Sequence, residues 1–336
     1  MSRQRRIPTP SWEKDRGITG GFSASRLQML AAGAAALLVL AAFAAIGFGF
    51  LSDYLEDRDR PNTNAITIGD TEFTVRDVTN RAKMYVAQIG GTSNFQIILP
   101  TVTSLLAEQT LLLKYANEKS VSATDDEVKE QIATLLGITI TDPSFDQRLQ
   151  EELTKTGLSD QQYHDMARGN VLKKKLNDQF TADLPTTSDS IHYRQIVVAD
   201  QAKADDIKRQ IEEGGDFAAL ALENSTDTVT KDKGGDLGWA PKGFLNASLD
   251  DLLFALDVNQ VVTFAGQSSV TVYQVSEKDA AHAVDDEKKA TLANQNYQKW
   301  LTEKRDAETI VDEMDLNTGN GDKIRYVIDH AGLTTR

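Results

Sequence analysis

The longest apolar stretch of the chain lies near its N-terminus. No charged residue occurs between Arg26 and Asp53, and residues 27–51 are almost wholly apolar. About 20 apolar residues suffice for a helix to cross the hydrocarbon core of a bilayer, so this pattern predicts a transmembrane helix over residues 27–51. A cleaved signal peptide is the alternative, because the small residues at 41–45 offer a cleavage site. The length of the apolar run favours an uncleaved anchor.

The charges beside this stretch predict its orientation. Residues 1–26 carry six Arg or Lys residues against two acidic ones, whereas Asp53, Glu56 and Asp57 follow the stretch. Because basic flanks remain on the cytoplasmic side, we expect residues 1–26 to form a basic cytoplasmic tail. The protein is then a single-pass cell-membrane protein with an extracytoplasmic C-terminal body.

Apolar residues at helical spacing dominate residues 65–183. A short strand and turn are expected at 65–70, followed by an extended segment at 73–75 and a helix to about Gln88. The strongest helical pattern covers residues 97–117. The apolar positions on one face of that helix are Val102, Leu105, Leu106, Leu112 and Leu113. This part of the chain is therefore predicted to be mainly helical.

Two capping boxes predict where further helices begin. Thr124 with Glu127, and Ser159 with Gln162, have the spacing at which two side chains satisfy each other's helix-terminal N–H groups. The first opens a helix with an apolar inner face, and the second opens a helix that continues to about Phe180.

Residues 190–279 alternate between strand and helix patterns. Strands are expected at 192–198 and 270–275, and a helical run ends at 216–221. The glycine-rich run at 234–239 lacks the following helix and the Lys-Ser/Thr pair of a phosphate-binding loop, so it predicts a turn into a strand.

The regions on either side of 190–279 differ from it. A linker is predicted at 183–189, where Leu184-Pro185 stands near Ser and Thr residues. One long helix is predicted over residues 285–314, and a short element is expected within 323–333. The apolar stripe of the long helix consists of Ala293, Tyr297, Trp300, Leu301, Val311 and Met314.

Composition and charge exclude several classes of function. The net charge is −14, and residues 1–26 contribute +4, so the rest of the chain carries −14 − 4 = −18. A body this acidic repels phosphate backbones, so nucleic acid is not an expected partner. The absence of cysteine excludes disulfides and thiol catalysis, and the four histidines lack metal-ligand spacing. No cofactor and no metal are expected.

Four motifs follow one another in the second half of the chain. They are Phe-Ala-Ala-Leu-Ala at 217–221, Ser-Thr-Asp at 225–227, Gly-Gly-Asp-Leu-Gly-Trp at 234–239 and Phe-Ala-Leu at 254–256. Their order over residues 190–279 resembles a parvulin-type peptidyl-prolyl isomerase (PPIase) domain. The resemblance implies an α+β domain with a small antiparallel sheet, flanking helices and cofactor-free isomerisation of Xaa-Pro bonds.

A second resemblance is carried by more scattered residues. Ile68-Gly69-Asp70, Glu108-Gln109, Leu111-Leu112-Leu113 and the segment 122–128 are similar to a SurA-like N-terminal chaperone domain, which is assigned to residues 65–183. A generic helical spacer is the alternative. In relatives of this architecture a C-terminal helix packs on the chaperone domain, so we expect residues 285–336 to do so here.

The parvulin resemblance also implies the positions of the site. The family places there two histidines, a cysteine or aspartate, a proline pocket of methionine and phenylalanine, and a small hydroxyl. The corresponding residues of this chain are, in that order, Gln195 and Thr271, Asp227, Leu245 and Leu249, and Ser268. Both histidines are therefore replaced, and the pocket loses its aromatic residue.

The replacements leave part of the chemistry in place. The amide of Gln195 and the hydroxyl of Thr271 can hydrogen-bond one another across adjacent strands, and the two leucines still form an apolar floor. Rotation about a peptide bond crosses a barrier of about 18–20 kcal/mol. A site can lower it by removing the bond from water and favouring the twisted amide.

Two main hypotheses follow. The first is a membrane-anchored extracytoplasmic foldase, a PPIase with a variant site that acts on unfolded or proline-containing exported polypeptides. The second is an ATP-independent holdase, in which a catalytically degenerate parvulin domain only binds peptide. An assembly subunit dedicated to one membrane complex is a third possibility.

Overall fold

The computed structural model describes residues 41–44, 48, 51, 55–56, 58–90 and 93–334. Two compact units are present, Met1–Thr63 and Asn64–Arg336. The predicted cytoplasmic tail at 1–26 and most of the predicted transmembrane helix at 27–51 lie outside the described residues. Of that predicted helix, residues 41–44, 48 and 51 are described; they are helical and exposed.

One helical segment among the described residues, Phe95–Lys119, is long and apolar enough to cross a membrane. Half of its most apolar window is buried inside the second unit. This segment is therefore a core helix of the fold.

The second unit combines helices with two small antiparallel sheets. The strands are β1 (Asn64–Ile68), β2 (Thr71–Thr74), β3 (Thr187–Val198), β4 (Asp236–Pro241), β5 (Val261–Ala265), β6 (Val270–Ala283) and β7 (Ile310–Asp312). The helices are α1 (Val75–Ile89), α2 (Phe95–Tyr115), α3 (Asp125–Leu136), α4 (Phe145–Thr156), α5 (Asp160–Ala182), α6 (Gln201–Glu212), α7 (Phe217–Asn224), α8 (Ala247–Ala255), α9 (Asp286–Asp306) and α10 (Gly321–Ala331). The strand orders are β2-β1-β7 and β4-β3-β6-β5. This architecture confirms the predicted α+β class.

Local sequence signals account for most of the helix starts. Both predicted capping boxes are present: Thr124 and Glu127 begin α3, and Ser159 and Gln162 begin α5. Helix α4 was not predicted. Its buried apolar side chains recur every four positions, which is the helical signal that the sequence analysis overlooked.

Helix α9 packs against α2 and α5. Tyr297 and Trp300 of α9 are buried together with Leu112 of α2 and Phe180 of α5. The rings of Phe180 and Tyr297 meet edge to face, with centroids 6.4 Å apart, and the Tyr297 hydroxyl donates a hydrogen bond to Glu108. Segments before and after the four-stranded sheet therefore share one helical core.

The prediction of one helix over 285–314 is wrong at its C-terminal end. Helix α9 ends at Asp306, and the chain then forms β7, which pairs with β1. Ile310 and Val311 are β-branched, which suits a strand, and pairing with β1 satisfies their backbone polar groups. Val311 is 51% exposed, so it does not belong to the buried stripe.

The predicted linker at 183–189 is also partly wrong. β3 begins at Thr187, and Thr187 pairs with Ala283 at the far end of β6. Both strands are longer than the apolar patterns that predicted them, because backbone pairing between the two strands extends past the apolar residues. Only residues 183–186 remain between α5 and β3.

Asp312 at the end of β7 provides a test of this packing. Burial raises the pKa of Asp312, although hydrogen bonds from the Met314 N–H and from Thr103 oppose the shift. A carboxyl whose pKa is higher in the folded than in the unfolded state destabilises the folded state once the pH rises above its pKa in the unfolded state. We expect Asp312→Asn to raise Tm at pH 7 by about 2 °C, as for a change of under 1 kcal/mol in a unit of this size.

The gain should disappear as the pH falls below about 3.9, the ordinary pKa of aspartate, where the wild-type carboxyl is protonated in both states. Asp315→Asn is the matched control. Its carboxylate accepts the N–H groups of Asn317 and Thr318, which lower its pKa, so this variant should not gain stability at pH 7. A gain for Asp312→Asn that is independent of pH would contradict the assignment.

Candidate functional site

The site is built at the edge of β3 that β4 leaves free. β4 pairs with β3 as far as Arg194, and the Gln195 N–H still donates to Gly235 O at 2.8 Å. Beyond this point the segment 225–227 lies beside β3. The Thr226 N–H donates to Val197 O at 2.8 Å. The Ser-Thr-Asp motif is thereby held against the strand that carries Gln195.

Asp227 and Gln195 are joined directly. The Gln195 Nε2 atom donates to Asp227 Oδ2 at 2.9 Å, and the Thr230 hydroxyl donates to the same oxygen. The Val229 N–H donates to Asp227 Oδ1 at 3.1 Å, and the Asp227 N–H donates to Ser225 Oγ at 3.2 Å. The carboxylate is therefore oriented by three donors, two of which belong to its own turn.

These donors hold the pKa of Asp227 below its usual range. The Thr230 hydroxyl contributes most, followed by the Val229 N–H; burial comes next and acts in the opposite direction, and the Gln195 amide makes a smaller contribution that lowers the pKa. Asp227 is therefore an anion at neutral pH.

Thr271 lies on the same face of the sheet as Gln195 but not directly opposite it. Gln195 pairs with Tyr273, whereas Thr271 pairs with Val197. Burial raises the pKa of the Tyr273 phenol, and Thr271, which lies near that phenol, acts against the shift. The expected hydrogen bond between Gln195 and Thr271 is thus replaced by contacts of Gln195 with Asp227 and of Thr271 with Tyr273.

An apolar floor lies on this face of the sheet. Leu249 of α8 is buried, and Leu245 in the preceding loop is half-buried. They pack in one cluster with aromatic residues from the strands and from α8. These aromatic residues are Tyr193, Phe244, Phe254, Phe264 and Tyr273.

The strands therefore bring aromatic rings to a pocket whose own aromatic position is Leu249. The rings of Tyr193 and Tyr273 lie with centroids 6.4 Å apart, and burial raises the pKa of Tyr193 to about 12. Neither tyrosine is among the site residues predicted from the sequence. Strand periodicity could have found them, because each lies two residues from a predicted site position on the same face.

Comparison with known proteins agrees with this geometry. Residues 185–279 match the family model of the PPIC-type PPIase domain, and residues 24–177 match that of the SurA-like N-terminal domain. The chain combines these two domains. Both resemblances inferred from the sequence are thereby confirmed.

Two curated relatives carry the name foldase protein PrsA. The protein from Caldanaerobacter subterraneus is 29% identical over 51% of this chain and 54% of its own length. The protein from Clostridium acetobutylicum is 25% identical over 64% of this chain and 73% of its own length. The chain thus spans about half the length of the first of these relatives. A crystal structure of peptidylprolyl isomerase (PrsA) from Bacillus anthracis aligns with 69% of this chain and 97% of that chain, at 17% identity and a TM-score of 0.38.

Ser268 belongs to a different turn of the PPIase domain from Asp227. It occupies the turn between β5 and β6, which the Gly266 N–H closes by donating to Ser269 O at 2.8 Å. Its side chain is exposed. Within the described part of the chain, Ser268 forms no hydrogen bond with Asp227 or Gln195, and its role in the site stays a prediction.

His192 in the PPIase domain and His282 just after it form a separate cluster around Trp239. His282 stacks on the Trp239 ring at a centroid distance of 3.9 Å, and His192 meets the same ring edge to face at 5.4 Å. The His192 Nδ1 atom hydrogen-bonds Ser276 Oγ at 2.7 Å. Over the residues that the structure describes, no group of three or more His, Cys, Asp or Glu side chains could hold a metal ion.

Proposed function

We propose that this chain is a membrane-anchored extracytoplasmic foldase whose PPIC-type domain isomerises Xaa-Pro bonds through a site without histidine. The observation that carries the proposal is the hydrogen bond between Asp227 and Gln195 beside the apolar floor. It supports the proposal because it joins an oriented anion and an amide donor at two positions that the parvulin resemblance assigns to the site. The name foldase, which the relatives described above carry, supports the same function.

The apolar floor and the polar groups have different roles in the proposed catalysis. Leu245 and Leu249, with the neighbouring aromatic rings, receive the proline ring and take the bond out of water. A planar amide carries partial negative charge on its oxygen through resonance, and a twisted amide loses it. The anion of Asp227 therefore disfavours the planar form of a carbonyl held near it, and the barrier falls. Gln195 is a positioning residue that holds the carboxylate.

The remaining domains supply the setting. We assign residues 65–183 and 285–336 to one SurA-like body that holds unfolded chains, with residues 190–279 as an inserted PPIase domain. The packing of α9 on α2 and α5 supports this division. The exposed apolar side chains of Phe43 and Phe48, 69% and 73% exposed, support a membrane anchor in the first unit.

A holdase without isomerase activity is the second candidate. It is favoured by the replacement of both histidine positions by Gln195 and Thr271. On this alternative the groove keeps its apolar floor and binds peptide, while the Asp227 network only stabilises the loop.

The two candidates are separated with the full-length protein in detergent. Cis-to-trans conversion of Xaa-Pro peptides is followed together with the aggregation of an unfolded client protein. We expect acceleration of the conversion and about a tenfold lower kcat/KM for Leu245→Ala, because one truncated apolar contact in a pocket is worth about 1–3 kcal/mol. Leu222→Ala is the control, since Leu222 is 56% exposed on α7.

Suppressed aggregation without acceleration would assign the protein to the holdases. Equal kcat/KM for wild type and Leu245→Ala would show that Leu245 does not contact the proline ring of the substrate. If neither acceleration nor suppression were measured, both candidates would be wrong.

A further inference from the structure

Arg81 is a buried cation without a partner. It lies in the middle of α1, and only 9% of its surface is exposed. Within the described part of the chain, its guanidinium forms neither a hydrogen bond nor an ion pair. Burial lowers the pKa of Arg81 to about 10, so the group remains charged at neutral pH. A buried charge is costly unless it is paired, and this one therefore calls for an explanation.

Two carboxylates of this region are bound to other groups. Asp77, four residues earlier on the same face of α1, accepts hydrogen bonds from the start of its own helix and from Gln162 Nε2 at 2.6 Å. Glu152, on α4, pairs with Lys155 at 3.3 Å. Neither acidic residue forms an ion pair with the guanidinium.

Tyr163 adds a second donor at the same place. Its ring is 1% exposed, and its hydroxyl forms no hydrogen bond within the described residues. Burial and then the charge of Glu152 raise the pKa of Tyr163 to about 12, while the charge of Arg81 acts against them. The phenol is protonated at neutral pH. Two donors thus lie close together, and neither forms a hydrogen bond with the carboxylates that the described residues bring to this region.

One of the two donors lines an open cavity, and the other does not line it itself but lies on the helix that forms one of its walls. Tyr163 lines a cavity of about 380 Å³ between α1, α3, α4 and α5, and Arg81 stands one helical turn before Met84, which lines it too. The other apolar lining residues are Ala87, Leu135 and Leu136. Neither Arg81 nor Tyr163 has a polar atom that is both sealed from solvent and unsatisfied, so their unbonded donor atoms keep some exposure to solvent. This volume lies within the range of small-ligand pockets.

The chemistry of the lining narrows the ligand to a monoanion with apolar substituents. A guanidinium and a phenol match the two oxygens of a carboxylate. Gln88 and four charged residues of α4 complete the lining; the charged residues are two of each sign, so they add no positive field for a doubly charged phosphate. The side chain of an internal Asp or Glu is flanked by backbone on both sides, and these polar groups would face the apolar walls. A carboxylate at a chain end is flanked by backbone on one side only and lies next to the last side chain, so fewer polar groups would face the walls.

We propose that this cavity binds the C-terminal carboxylate of a polypeptide whose last residues are apolar. Arg81 and Tyr163 donate to the carboxylate, and Met84, Leu135 and Leu136 contact the terminal side chains. The choice of a chain end over a free carboxylic acid rests on the proposed chaperone function. The site lies in the SurA-like domain, apart from the Asp227 network.

Calorimetric titration of the full-length protein in detergent tests this inference. The ligands are acetyl-Ala-Leu-Leu with a free carboxylate, the same peptide as its C-terminal amide, and hexanoate. We expect the free peptide to bind at least tenfold more tightly than the amide and than hexanoate. Tyr163→Phe should weaken binding of the free peptide about fivefold, and Arg81→Met at least fiftyfold.

Two controls keep the result interpretable. Lys83→Met removes the same charge from an exposed position of α1, so it should leave the affinity unchanged. Arg81→Met removes an unpaired buried cation and should not lower Tm. If it does lower Tm, the comparison of Tyr163→Phe with wild type and of free peptide with amide still decides the matter.

Equal affinity for peptide acid and amide would overturn the proposal, as would full affinity in both variants. Hexanoate binding as tight as that of the peptide would assign the cavity to small carboxylic acids instead and overturn the chain-end assignment. Isomerase activity measured on the same samples separates these outcomes from a failure of the proposed foldase function, because Arg81 and Tyr163 take no part in the isomerase site.

Discussion

Replacing Asp227 by alanine is expected to lower kcat/KM for an Xaa-Pro peptide about 30-fold, equivalent to roughly 2 kcal/mol of transition-state stabilisation. The carboxylate is the one anion that Gln195, Thr230 and Val229 jointly orient. Its removal takes away both the charge that disfavours the planar amide and the acceptor that positions Gln195. The measurement is cis-to-trans conversion by the full-length protein in detergent.

The controls for this prediction lie in the same loop. Asp232→Ala removes an equal charge from an exposed position five residues later and should leave kcat/KM within a factor of two. Asp227→Asn keeps the shape but loses the anion, so it should resemble Asp227→Ala if the charge is what matters. Full activity of both Asp227 variants would restrict the network to a structural role.

Gly235→Ala is expected to destabilise the PPIase domain by about 3–5 kcal/mol and to abolish the site with it. Gly235 adopts a φ of +78°, and a Cβ atom there would lie 2.3 Å from the backbone oxygen of Gln195. The left-handed conformation alone costs an L-residue about 1–2 kcal/mol. The collision adds to this cost, because the oxygen that the Cβ would meet belongs to the backbone of Gln195. The N–H of Gln195 also donates a hydrogen bond to Gly235 O, which holds the two segments together.

Gly238→Ala is the matched comparison. Its φ of +74° is nearly the same, but no atom lies within 4 Å of the position where the Cβ would be placed. We expect it to cost only the conformational penalty of about 1–2 kcal/mol. Equilibrium unfolding in urea measures both variants. Equal losses of stability would mean that the close approach to Gln195 is not what requires Gly235.

The helices show how far local sequence carries the fold. The starts of α3 and α5 follow from four-residue capping boxes, and the leucine face of α2 follows from helical spacing. Such signals depend on residues within one or two helical turns, so they can be identified from the sequence alone. β7 was missed because its strand character comes from pairing with β1, more than 200 residues earlier in the chain. The same reason explains why β3 and β6 run past their apolar centres.

The candidate site was likewise only partly predictable from the sequence. Motif order identified the parvulin resemblance and the positions of Asp227 and Gln195. It did not reveal that the Gln195 amide turns toward Asp227, because this direction depends on the segment 225–227 lying against β3. Nor did it reveal that Tyr193 and Tyr273 bring aromatic rings to the floor.

The sequence by itself determined the helical and strand segments with strong periodicity, the two resembling domains and the residue types at the site. These depend on neighbouring residues and on the order of motifs. Only the tertiary structure decided which side chains meet. A strand register sets Gln195 opposite Tyr273, a glycine allows two backbones to approach, and helix packing buries Arg81 and Tyr163 where neither forms a hydrogen bond with another described residue. Each of these contacts joins segments that are far apart in the chain, and their geometry follows from the packing of the whole unit.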